Sequence, residues 1–170
     1  MVEHTRPRHG LLLRSGIVLL TVALFGCDHA TKVAARAALG GGRVVPIFDG
    51  IVELRYAAND DTAFSLLRAL GLARTPGLLV ALSLAALAGV VVAWGAAARK
   101  SATTMHHAGF ALVVAGALGN VVDRAARGYV VDFIHVARWP VFNVADVVIC
   151  AGALALIVAR VRSAPSRACL

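Results

Sequence analysis

The feature that most constrains this chain is the stretch from Pro76 to Ala98, 23 residues without a single charge. A helix of roughly 20 apolar residues is what the hydrocarbon core of a bilayer requires. Three further runs, rich in Ala, Leu and Val, match it: Leu11 to Cys27, continuing as helix toward Ala38, then His106 to Val122, and Val141 to Ala159. The spans are therefore predicted at about 11–30, 76–98, 106–122 and 141–161. Composition agrees, since 59% of residues are hydrophobic and 15% charged, with a mean hydropathy of +0.80, far from the balance of a soluble domain. The length of 170 residues accommodates four spans and short connections as a single domain. The expected fold class is an all-α integral membrane protein.

One connection breaks the helical pattern. After Gly40-Gly41-Gly42, the segment Val44 to Tyr56 mixes β-branched and aromatic residues around Pro46 and Asp49-Gly50. It reads as a small hairpin or sheet outside the bilayer, within a β-rich segment of about 44–66.

The net charge of +8 does not signal a nucleic-acid partner, because the arginines are scattered along an apolar chain rather than interleaved with aromatics. Their distribution sets orientation instead. The N-terminal tail (Arg6, Arg8, Arg14), the second connection (Arg99, Lys100) and the C-terminal tail (Arg160, Arg162, Arg167) carry eight basic residues against one acid, Glu3. The other side carries the remaining nine basic and eight acidic residues. Positive flanks face the cytoplasm, so both termini are expected there.

That orientation gathers Asp28, Asp123 and Asp146 at one membrane face, with Asn59, Asp60, Asp61, Arg124 and Asp132 in the loops of the same side. Ionisable residues at such depth point to function, although a structural polar network or an ion or proton pathway uses the same residue types. The repeated spacing Asn120-x-x-Asp123 and Asn143-x-x-Asp146 favours chemistry: residues three apart share a helix face, and an amide can orient a carboxylate. Two carboxylates in proximity do not readily both ionise, so one keeps a proton while the other serves as base toward water, as in aspartic proteases. Asp28 and Lys32, four apart, form a favourable helical ion pair, and support of the helix end is the leading reading for them. Arg124 follows Asp123 directly and points elsewhere on the helix, toward a loop carbonyl or a lipid phosphate.

Other chemistries find little support. His29, His106, His107 and His135 lack partners at ligand spacing, so no metal is expected. Cys27, Cys150 and Cys169 are too dispersed for a disulfide framework. No Gly-x-Ser-x-Gly occurs, and Ser65 and Ser83 have no base nearby. Trp94, Trp139, Tyr56 and Tyr129 lie near span ends as interfacial anchors. Leu24-Phe25-Gly26-Cys27 looks like the end of a lipoprotein signal, but three spans follow, and it is read as part of the first helix.

Taken in order along the chain, these residues resemble the bacterial lipoprotein signal peptidases, or signal peptidase II. Asp28-His29-Ala30-Thr31-Lys32, Asn59 to Phe64, Gly119-Asn120-Val121-Val122-Asp123-Arg124 with Gly128-Tyr129-Val130-Val131-Asp132-Phe133, and Phe142-Asn143-Val144-Ala145-Asp146 are similar to the motifs of that family. The resemblance implies a metal-independent, cofactor-free aspartic endopeptidase of the inner membrane, monomeric among membrane phospholipids, that cuts diacylglyceryl-modified prolipoproteins just before the lipidated cysteine. It assigns Asp123 and Asp146 as the catalytic dyad, Asn120 and Asn143 as its supports, and Asp28, Lys32, Asn59 and Arg124 to the substrate site near the periplasmic face. Asp61 departs from the family, which usually has glycine there. A transporter using the same acids would spread polar residues through the membrane depth, whereas here they cluster at one end. A catalytically inactive relative that binds lipoproteins without cutting them is the other alternative.

Overall fold

The computed structural model describes residues 8–60, 76–99 and 102–163. Four long helices occupy most of it: α1 (Arg8–Leu39), α2 (Pro76–Ala98), α3 (Thr104–Arg127) and α4 (Val144–Ser163). Each is long and apolar enough to cross a membrane. Helix α3 is the central one, packed against the other three. Its contact with α4 is close because glycines remove side chains where the backbones meet. A Cβ on Gly152 would lie 2.7 Å from the Gly109 carbonyl oxygen, and one on Gly109 would lie 2.8 Å from Leu156 Cγ.

Helix α1 ends at the glycine triplet, where the amide of Gly40 donates to the Arg36 carbonyl (3.0 Å) and that of Gly42, at φ 83°, to Leu39 (3.1 Å). The chain then enters the expected hairpin, β1 (Val44–Ile47) and β2 (Val52–Asn59), whose turn puts Phe48, Asp49 and Gly50 in left-handed conformations. Pro46 is tolerated because β1 is an edge strand. A third strand, β3 (Val130–Val136), was not expected from the sequence and completes an antiparallel sheet of order β1-β2-β3. The sheet rests on the end of α1 through Ala35, Leu39 and Phe133, with Val45, Leu54, Tyr56 and Ile134 around them.

Two boundaries differ from the expectation in ways that matter. Helix α3 runs to Arg127, so Asp123 lies inside the helix rather than just beyond its end; Gly128, at φ 80°, then caps it. Helix α4 begins at Val144 rather than at residue 141, because the Asn143 side chain accepts from the Asp146 amide (3.1 Å) while the Asn143 amide donates to the Asp146 carboxylate (3.1 Å). This reciprocal pair is a capping box built from Asn and Asp.

Candidate active site

The polar residues meet where α1, α3 and α4 reach the sheet, and the local structure explains how each arrives. Lys32, 1% exposed, places its Nζ 2.8 Å from Asp28, 3.2 Å from Asp123 and 2.9 Å from the side-chain oxygen of Asn120. The ion pair expected between Asp28 and Lys32 is present, and the lysine also reaches across to α3. Gly119 makes room for Asp28, since a Cβ at that position would collide with its carboxylate.

Each of the two aspartates on Lys32 takes a backbone amide from another element. Asp28 accepts from Ala145 (2.9 Å), the residue before Asp146. Asp123 accepts from Val131 (3.1 Å), the residue before Asp132, and also pairs with Arg127 one turn along α3. One buried lysine thus ties down the positions immediately before two further acids.

Those further acids are Asp132 and Asp146, and Asn143 links them. Its amide nitrogen donates to Asp132 (2.6 Å) and also approaches the Asn120 oxygen (3.2 Å), while its backbone amide holds Asp146. Asn120 donates to Asp146 from across the helix pair (2.9 Å). Asn59 donates to the other oxygen of Asp132 (2.8 Å). Strand geometry delivers these contacts. Asn59 pairs with Val130, which shares a sheet face with Asp132, and a bulge in β2 between Leu54 and Ala57 sets that alignment. Phe142 bridges Ile134 through hydrogen bonds of 2.8 and 2.9 Å, which brings Asn143 alongside β3.

The expected grouping is therefore rearranged. Asn120 sits three residues before Asp123 but supports Asp146, and Asn143 is a helix cap rather than a face-mate. Asp123 is engaged with two cations and a backbone amide, whereas the carboxylate that shares an amide and an electrostatic field with Asp146 is Asp132. Arg124 is half-buried within the field of Asp132, Asp146 and Asp123. Burial pushes the Asp132 carboxyl up to about 6; the Asn59 hydrogen bond opposes this, and the negative charge of Asp146 adds to it. Asp132 is 2% exposed, while Asp146 remains partly open. Asp61 and Ser65 lie outside the described residues, as do Arg6, Lys100, Arg167 and Cys169.

A model of the family described as signal peptidase (SPase) II matches residues 20–162. The chain belongs to the signal peptidase II family. The lipoprotein signal peptidase of Rhodococcus jostii (strain RHA1) is 39% identical over 166 residues, covering 92% of this chain and 74% of that one. The corresponding protein of Geobacter sulfurreducens is 35% identical over 141 residues, covering 79% and 84%. A solved bacterial membrane enzyme shares the fold with a TM-score of 0.73 over 91% of this chain and 92% of its own, at 22% identity. Within this family frame the chain is a multi-pass bacterial membrane peptidase.

Two residues of this cluster were given no role by the sequence. Asp132 carried a signal, an acid within the apolar run Val130-Val131-Asp132-Phe133, which in a buried strand demands partners. Arg127 carried a weaker one, its spacing of four from Asp123. Trp94, read as an interfacial anchor, donates to His107 (2.9 Å) and stacks on Phe110, and the hydroxyls of Tyr56 and Tyr129 bond each other at 3.0 Å.

Proposed function

We propose that the chain is an aspartic endopeptidase whose acid–base pair is Asp132 and Asp146, in place of the Asp123–Asp146 pair to which both the spacing and the family resemblance pointed. Its family removes signal peptides from prolipoproteins, and so does this chain. The cut falls before the lipidated cysteine, at the outer membrane face, with both termini in the cytoplasm. The observation that carries the reading is Asn143, whose side chain holds Asp132 while its backbone amide holds Asp146.

Charge bookkeeping supports the same pair. Asp28 and Asp123 are balanced by Lys32 and Arg127, leaving Asp132 and Asp146 opposite Arg124. A single proton on the pair makes this largely buried cluster neutral, and burial disfavours any other count. The pair then performs the proton transfers that amide hydrolysis needs. Asp146, the more open carboxylate, takes a proton from water as the oxygen attacks the scissile carbonyl, and Asp132 gives its proton to the carbonyl oxygen. As the C–N bond breaks, the proton gained by Asp146 goes on to the departing nitrogen and Asp132 recovers its own from a hydroxyl of the collapsing intermediate, leaving the carboxylic acid product. Asn120, Asn143 and Asn59 keep both carboxylates aimed while their charges change.

Cleavage of a lipidated precursor peptide by the purified protein tests the assignment. Asp132→Asn and Asp146→Asn are each expected to lower kcat by about a thousandfold, within the span of lost acid–base catalysis. Asp123→Asn is expected to keep more activity than either. Cleavage by Asp132→Asn at the unaltered rate would remove Asp132 from the pair, and no cleavage by the unaltered protein would mark a binding-only relative.

A further inference from the structure

Arg127 touches neither Asp132 nor Asp146, yet its position gives it a task in the reaction. It occupies the last turn of α3, immediately before Gly128, where the chain turns into β3. Its guanidinium pairs with one oxygen of Asp123, and the other oxygen faces Lys32 and accepts from the Val131 amide. Asp123 is 1% exposed, and such a carboxylate stays ionised only with full compensation. Lys32 alone does not supply that, because it also pairs with Asp28. With Arg127 present, two cations meet two anions.

We infer that Arg127 is a positioning residue for peptide cleavage: it neutralises Asp123, which then holds the start of β3 and with it the Asp132 carboxyl in register with Asp146. The inference rests on the Asp132–Asp146 reading. The groups that bear on Asp132 are Lys32 from α1, which itself holds Asp28 and Asp123, Asn59 from β2, Arg124 from α3, and Asn143 and Asp146 at the start of α4, with Arg127 behind Asp123. Removing the Arg127 charge leaves the cluster one unit more negative. Protons then bind the pair more tightly, and the general base is lost at higher pH.

The pH profile of kcat with a lipidated precursor peptide reads this directly. Arg127→Gln is expected to move the acid limb up by about one pH unit, the size of a single uncompensated charge nearby, and to lower kcat with KM unchanged. Arg127→Lys keeps the charge and is expected to restore the limb. The charge-balanced double variant Asp123→Asn/Arg127→Gln is expected to return the limb close to its original place, and Asp123→Asn alone to move it the other way. Should Arg127→Gln fail to fold, the difference between the double variant and Asp123→Asn alone isolates the Arg127 charge, and the same limb in both would overturn the role. An unmoved limb in Arg127→Gln, or the same shift in Arg127→Lys, would overturn the role. Asp132→Asn and Asp146→Asn run in parallel distinguish this failure from that of the pair itself, which shows as retained cleavage in those two variants.

Discussion

Replacing Lys32 by Met should be among the most damaging single changes outside the proposed pair. Its ammonium lies 2.8 Å from Asp28 and 3.2 Å from Asp123, and both acids are 1% exposed. Met fills a similar volume, so the lost term is electrostatic rather than a cavity. Breaking a buried ion pair by deleting one partner costs about 3–5 kcal/mol, and here two carboxylates lose a cation at once. In a protein of this size each kcal/mol corresponds to about 2–4 °C, which places the expected fall in melting temperature at roughly 6–20 °C. Thermal unfolding in detergent, followed by circular dichroism or a thiol-reactive dye, measures it. The double variant Lys32→Met/Asp28→Asn removes one orphaned charge and should recover part of the loss, a non-additivity diagnostic of contact. A fall of under about 2 °C in the single variant, or strictly additive effects in the double, would refute the claim that Lys32 is the charge on which both aspartates depend.

Further outcomes follow from the same geometry. Because the Asp132 carboxyl is pushed up to about 6 from an ordinary value of 3.8, the unfolded chain releases that proton first. Stability therefore falls as pH rises between those values, by about 3 kcal/mol in total, and Asp132→Asn should remove that contribution from a pH series of melting temperatures. Gly152→Ala forces α3 and α4 apart, since the new Cβ would meet the Gly109 carbonyl at 2.7 Å. A loss of about 1–3 kcal/mol is expected, measured by thermal unfolding, with reduced cleavage as Asp146 shifts with its helix. At the opposite end of α3, Thr103 and His106 form a reciprocal cap, so Thr103→Ala should lower stability by about 1 kcal/mol in the same assay without changing kcat.

The membrane architecture was legible because apolar run length is imposed by bilayer thickness, and α2 could be read to the residue. The hairpin was legible from Asp49-Gly50. Strand β3 was not, since seven apolar-rich residues after a long helix carry no periodicity that separates a buried strand from more helix. Missing β3 left Asp132 grouped by membrane face but without a role, while the spacing of Asn120 and Asp123 singled out an acid that in the fold also holds a backbone amide. Asn143 shows the same limit. An Asn three residues before an Asp describes a helix face and a capping box equally well, and only the Phe142 bridge to Ile134 selects the cap. Lys32 was legible as a partner of Asp28 because both lie on one helix. Its reach to Asp123 depended on how α1 packs against α3, which no local pattern records.

The single lysine shared by Asp28 and Asp123 also bears on when the enzyme becomes an enzyme. Its contacts draw on α1 and α3, and its two aspartates grip the residues leading into Asp146 and Asp132. Asp146 lies on the last helix, so the four carboxylates of the cluster are complete only once α4 is in place. On the proposed pairing of Asp132 with Asp146, the capacity to cut a peptide bond arrives with that last helix.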